Sequence, residues 1–242
     1  MRQALAVAVI AAATATSACG KTKAEDVGPT VSRNYQVGAF TEIEVAGPYD
    51  VDVRTGGNPS VSATGSEKLL ERTVVEVRNG KLLIRPEREK GFFNFGWSSR
   101  GKARMAVTVP ELHGATIAGS GGIKVDQVKG DSFKGTVAGS GGLDVATLEV
   151  QELKLTIAGS GEVRTGKGRA QKASFDIAGS GDIDARGVQA EQADVSIAGS
   201  GNVVANATGT ADVSIMGSGD VEVTGGAKCS VSKSGSGNVR CS

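Results

Sequence analysis

The chain has 242 residues, with 27 Lys and Arg against 26 Asp and Glu, for a formal net charge of +1. A near-neutral balance lacks the excess cationic charge that gathers a polyanion, so bulk electrostatics give no reason to expect nucleic acid as a partner, and none is expected. Aromatic residues make up 4% of the chain and glycine numbers 36. Such a composition is too poor in ring surface for a broad globular core and suits a narrow column of Val, Ile and Ala.

Residues 1–18 read as an export signal. Arg2 supplies a positive start, Ala4 to Ala13 form an apolar run too short to span a bilayer, and Ala15 to Ala18 offer small residues for cleavage. The run resembles a bacterial lipoprotein signal, which would make Cys19 the lipidated first residue of the mature chain. Thr16 departs from that pattern, and simple cleavage after Ala18 is the alternative. The cysteine count fits lipidation: with Cys19 acylated, Cys229 and Cys241 are left to pair in an oxidising compartment. These features predict a protein of the bacterial cell envelope. It would be lipid-anchored to the outer membrane, on its periplasmic or surface face, or else free in the periplasm. Residues 19–34 are polar and read as a flexible tether.

A single domain is expected over 35–242, with an N-terminal strand region over 35–112. Period-two alternation in Phe40–Val45 and Tyr49–Val53 marks strands with one buried face, separated by the turn residues Gly47 and Pro48. Asn58–Thr64 and Thr73–Val77 continue the pattern, with a short helical turn over Ser66–Arg72. Asn79-Gly80 predicts a tight hairpin joining Val75–Val77 to Leu82–Ile84. Arg104–Val109 is a further strand, ended by Pro110.

From residue 113 the chain is repetitive. Ala-Gly-Ser-Gly occurs at 118, 138, 158, 178 and 198, and variants at 216 and 234 shorten the step from 20 to 18. A fixed period of this length means one small structural unit per repeat, stacked on its neighbours. Two aligned columns are apolar: Ile117, Val137, Ile157, Ile177, Ile197 and Ile215, which breaks to Lys233, and Ile123, Leu143, Val163, Ile183, Val203, Val221 and Val239. These must face inward, because nothing else in the repeat can form a core. The column Thr116, Thr136, Thr156, Asp176, Ser196, Ser214 and Ser232 suits solvent. The predicted fold class is all-β, a parallel β-helix (solenoid) with coils of about 20 residues, each holding two or three short strands cornered by glycine. Seven coils at the ~4.8 Å strand spacing would stand roughly 30 Å tall. A charged column (Lys124, Asp144, Arg164, Asp184, Val204, Glu222, Arg240) alternates in sign between charged neighbours, which predicts attraction between adjacent coils.

The order of blocks, Ile43-Glu-Val, Val51-Asp-Val, Asn79–Ile84 and Val107–Leu112 leading into repeated Ile-Ala-Gly-Ser-Gly, resembles the head GIN domain family of bacterial auto-transporter adhesins. The resemblance covers about residues 35–240 and implies a right-handed parallel β-helix on an exported, often lipid-anchored protein. It implies no catalytic or ligand residue. No series of amphipathic membrane strands follows Cys241.

Few residues carry a chemical signal. Gly91–Trp97 holds Phe92, Phe93, Phe95 and Trp97, and Lys81–Arg104, which also contains Arg100, has seven basic residues against two acidic ones. Aromatic rings among Arg and Lys suit an envelope glycan, a lipid surface or a protein partner, so Phe92, Phe93, Phe95, Trp97 and Arg100 are the candidate contact residues. The alternative is that these rings cover an end of the β-helix. The corner serines could offer an amide nest for an anion, but they read better as sharp turns whose hydroxyls bond along the stack. Asp182, Asp184 and Asp220 lie after the turns without the spacing of a calcium cage, and no metal or cofactor is expected. His113, the single histidine, reads as an exposed loop residue, and nothing marks a nucleophile. The expected function is therefore non-catalytic: adhesion-type binding or envelope scaffolding. A β-helical polysaccharide lyase or hydrolase is the alternative. Cys229 and Cys241 both fall in inward columns of the last repeats, and a disulfide there would staple the end for roughly 2–4 kcal/mol.

Overall fold

A computed structural model describes residues 28–87 and 103–242. It is an all-β solenoid of about six turns at a spacing of about 20 residues, with 76% of the described residues in strands. The seven coils expected from the corner motif become about six because the last corner, Ser234–Gly237, is followed by a three-residue strand instead of a full coil.

Chain order and stacking order differ at the start. β1 (Thr30–Tyr35) takes in residues whose composition suits a tether. β2 (Glu42–Ala46) and β3 (Tyr49–Thr55) form the second tier, and the chain then leaves through β4 (Ser60–Ser66), the turn α1 (Glu67–Glu71) and β5 (Thr73–Arg78). It builds the first tier afterwards, from β6 (Lys81–Pro86) and β7 (Ala103–Val109). β8 (Gly114–Gly119) and β9 (Gly122–Val125) make the third tier, so β2 lies between β6 and β8, and β3 between β7 and β9, all parallel. The first tier is closed by antiparallel neighbours: β5 on β6, β4 on β7 and β1 on β4. The predicted hairpin is present, and both of its turn residues have positive φ (Asn79 51°, Gly80 73°), as a type I′ turn requires.

Beyond β10 (Val128–Gly139), each coil is one long ribbon: β11 (Gly142–Gly159), β12 (Glu162–Gly179), β13 (Asp182–Gly199) and β14 (Asn202–Gly217). The two or three short strands expected per repeat are thus continuous, interrupted only at Gly-Ser-Gly. The other corners are made without leaving the ladder, by two successive outward residues that reset the in-out alternation. Ala146-Thr147 and Gln151-Glu152 do this between the buried residues Val145, Leu148, Val150 and Leu153. β15 (Val221–Thr224), β16 (Lys228–Gly235) and β17 (Val239–Cys241) end the stack.

The shaft is filled by the predicted columns: Ile117, Val137 and Ile157 are 0% exposed, Ile177, Ile197 and Ile215 at most 3%, and Val45 and Ile84 extend the column into the first tiers. The 18-residue step is absorbed on one face, where register shifts fall between Asp184 and Gln189 and between Ala190 and Gln192. At this shift the side chains of Asn206 and Thr208 donate to the carbonyls of Arg186 (3.3 Å) and Ala190 (3.2 Å).

Candidate functional site

At the Gly-Ser-Gly corner both glycines are needed, for different reasons. The first has φ of +123° to +138° in Gly119, Gly139, Gly159, Gly179, Gly199, Gly217 and Gly235, a region that L side chains avoid. The second packs against the tier before it: a Cβ on Gly161 would lie 2.6 Å from the Gly141 carbonyl oxygen and 2.5 Å from Val137 Cγ1. The amides on either side of the second corner glycine are already used. Ser140, Ser160, Ser180 and Ser200 donate their N–H to the Gly119, Gly139, Gly159 and Gly179 carbonyls at 2.8–3.0 Å, and Gly142 and Glu162 donate to Gly121 and Gly141 at 3.1 and 3.0 Å. No nest of free amides remains for an anion, and it is these amides, not the serine hydroxyls, that bond along the stack.

The residues after the corners form a second ladder. Asn202 donates both its N–H (3.1 Å) and its Nδ2 (2.8 Å) to Asp182 Oδ1, Asp220 N donates to Asn202 Oδ1 (3.2 Å), and Asn238 donates twice to Asp220 Oδ1. Alternating acid and amide lets each carboxylate face a donor instead of another carboxylate. Asp184 takes the Arg186 Nε at 2.8 Å. Burial alone would raise its pKa, but the Arg186 hydrogen bonds outweigh that and hold the carboxyl below its ordinary value. No group of three or more His, Cys, Asp and Glu side chains among the described residues could hold a metal ion. In the alternating charge column, Asp144, Arg164 and Asp184 do lie side by side in register. Their ion pairs nevertheless run within a coil, Arg164 to Glu162 and Arg186 to Asp184, because a residue two positions along a strand faces the same way.

A trough of about 360 Å³ runs over the outer face of the later coils. Its walls are two outward columns, Ser174, Asp194, Asp212 and Ser230 beside Asp176, Ser196, Ser214 and Ser232, with Val195 and Val213 between them and Lys154 at one end. The same columns earlier in the stack carry Lys134 and Lys154 and the threonines 116, 136 and 156. The change to short side chains from Ser174 onward is what hollows the surface. Two of the carboxylates are paired from the side: Lys154 Nζ lies 3.1 Å from Asp176 Oδ2, and Lys172 Nζ 3.3 Å from Asp194 Oδ2. Asp212 stands in register beside Asp194 and Ser230. The result is five hydroxyls and three carboxylates over four tiers, about 14 Å at the strand spacing. The Ser/Thr/Asp column was recognisable in the sequence as a solvent face. The neighbouring column was not, since Gly, Lys, Ser and Asp share no property until register aligns them.

Phe92, Phe93, Phe95, Trp97 and Arg100 lie outside the described residues, as does Cys19. The strands that flank the aromatic segment are β6 and β7, which align with the strands on either side of the Gly47-Pro48 corner. Cys229 and Cys241 form a disulfide. His113 is about half exposed, 3.6 Å from Glu111, and its backbone bonds Thr41 and Lys134. Among the described residues no helix is long and apolar enough to cross a membrane.

Comparison with known proteins agrees with this architecture. No curated protein is similar to the chain. A crystal structure of a putative adhesin from Bacteroides fragilis NCTC 9343 superposes with a TM-score of 0.79 at 24% identity, covering 88% of this chain and 97% of that one. A putative lipid binding protein from Parabacteroides distasonis ATCC 8503 has a TM-score of 0.70 at 28% identity, over 89% and 97%. A putative adhesin from Parabacteroides merdae ATCC 43184 has a TM-score of 0.70 at 20% identity, over 89% and 97%. The family model described as "Putative auto-transporter adhesin, head GIN domain" matches residues 39–227, and the chain belongs to that family.

Proposed function

We propose that this protein is a non-catalytic, adhesion-type binding protein of the bacterial cell envelope, and that its trough holds an extended hydroxyl-rich chain, a glycan. The observation that carries this reading is the pair of polar columns from Ser174 to Ser232, which repeat donors and acceptors at a fixed interval along one axis. A repeating polymer can meet such a track several times over, and multiplicity compensates for weak single contacts. Lys154 and Lys172 offset two of the three carboxylates, so the track favours a neutral ligand over a strongly charged one.

One similar structure is called a lipid binding protein. In this chain the shaft is packed with aliphatic residues at most 3% exposed from Ile117 to Ile215, which leaves no room there for an acyl chain. A lipid would therefore be met through its polar head. The reading also takes from the sequence an export signal over 1–18, a lipid anchor at Cys19 and a second contact surface at Phe92, Phe93, Phe95, Trp97 and Arg100.

Titration of the exported chain against neutral and acidic oligosaccharides tests the proposal. Ser214→Arg, which fills the trough from an exposed position, should weaken binding at least tenfold without moving the thermal midpoint. Unchanged binding removes the trough from the reading, and turnover of any oligosaccharide overturns the non-catalytic assignment. Replacing the four aromatic residues with Ser should reduce attachment to envelope material while leaving the circular dichroism intact. Loss of the fold in that variant would assign the rings to end-capping instead.

A further inference from the structure

The two ends of the solenoid are finished differently. At the N-terminal end, antiparallel strands cover the first tier. At the other end β16 and β17 pair with β14 and β15 on one side, and no described strand lies on the other. Every inward column but two changes character there. Ile215 is followed by Lys233, Ala211 by Cys229 and Val223 by Cys241. Val231 keeps its column but is 49% exposed. The Cys229–Cys241 disulfide ties together the two columns that continue from Ala211 and Val223. Lys233 stands in register with Ile215, and its Nζ donates to the Gly237 carbonyl at 2.7 Å. Beneath this layer Val213, Ile215, Val221 and Val223 are at most 3% exposed.

We infer that residues 226–242 are a redox-locked cap and that releasing it lets two copies of this chain join end to end. A half-buried Cys229 and an exposed Cys241 leave the disulfide open to a dithiol. A thiolate attacks one sulfur and the second thiol resolves the mixed disulfide. Two electrons and two protons pass to the protein, giving two cysteine thiols, while the dithiol becomes a disulfide. Without the cross-link, the cap is held by one side of backbone pairing and little apolar contact. Its opening bares the aliphatic cross-section at Ile215 together with the unpaired edges of β14 and β15. What fits such a surface in this molecule is another tier, and the tier a second molecule offers is the same one, since its opposite end is closed. The contact is therefore isologous, giving a closed dimer instead of a filament. Lys233, a charge in an otherwise aliphatic column, is the kind of device that keeps a sheet edge from pairing.

Hydrogen exchange and sedimentation equilibrium on the full chain test this, oxidised, reduced with dithiothreitol, and as Cys229→Ser/Cys241→Ser. Exchange at the amides of 228–241 should rise at least tenfold on reduction while that of β11–β13 stays unchanged. The reduced chain and the double variant should shift to twice the oxidised mass, and small-angle scattering should show a particle lengthened along its axis. Unaltered exchange at 228–241, an unaltered mass, open-ended association or a side-by-side dimer would each overturn the inference.

Discussion

Gly142 and Gly161 flank the same coil and answer to different constraints. A Cβ on Gly142 meets nothing nearer than 3.9 Å, whereas one on Gly161 collides with the Gly141 carbonyl and Val137. Gly161→Ala should destabilise the protein by about 1–3 kcal/mol, the usual cost of overpacking, and Gly142→Ala should be close to neutral. Denaturant midpoints of the two variants check this, and equal effects would show that backbone entropy, not contact, governs the corner. Gly135 is different again: its missing side chain makes room for Phe133, Leu143 and Leu155. Two coils further on, the same two inward positions are filled the other way round, Ala173 with Phe175, so a large ring is again placed beside a small residue.

The β5–β6 hairpin illustrates how an element is tied down from outside the core. Arg85 Nη2 and Arg78 Nη2 each lie 2.9 Å from a Glu76 carboxylate oxygen, and the Arg85 hydrogen bond leads in holding Glu76 below its ordinary value of 4.5. A carboxyl lowered by folding stabilises the fold above its unfolded value, and the effect is lost as pH falls through the lowered one. Glu76→Gln should therefore lower the melting temperature at pH 7, and the gap from the unsubstituted chain should close below about pH 4. A gap independent of pH would mean that hydrogen-bond geometry, not charge, matters there. At the same end Thr73 donates to the Leu69 carbonyl (2.7 Å), so the buried Tyr49 hydroxyl donates to Thr73 Oγ1 (3.1 Å). One tyrosine thus links the second tier to the turn that covers the first.

Each coil touches mainly the coils above and below it, so damage should stay local at the scale of the whole molecule. Phe175 lies between Leu155 and Val195 and is 2% exposed. Phe175→Ala should cost about 3–5 kcal/mol, with exchange rising most in β11–β13 and least in β2 and β3. A uniform rise across the stack would mean that the solenoid opens as a single unit. The long trough depends on the same regularity, because columns spaced at one interval cannot be displaced singly.

Much was legible in the sequence because it is written as a period. Ile, Val and Leu recurring every 20 residues, with Gly-Ser-Gly between them, specify inward columns and corners with no knowledge of distant contacts. Asn79-Gly80 specifies its hairpin in the same local way, and the cysteines disclose their pairing because both fall in inward columns of adjacent tiers. Three things needed the tertiary structure. The first tier is built after the second because β6 and β7 are placed by pairing with β2 and β3, 39 and 54 residues earlier in the chain. In the alternating charge column the ion pairs run within coils, Arg164 to Glu162 and Arg186 to Asp184, because side-chain reach decides between two opposite charges that register makes equally available. The trough appears only when Ser174, Asp194, Asp212 and Ser230 are brought side by side, and a column of unlike residues carries no periodic signal. Local repetition determined the architecture; non-local register decided what its surface presents.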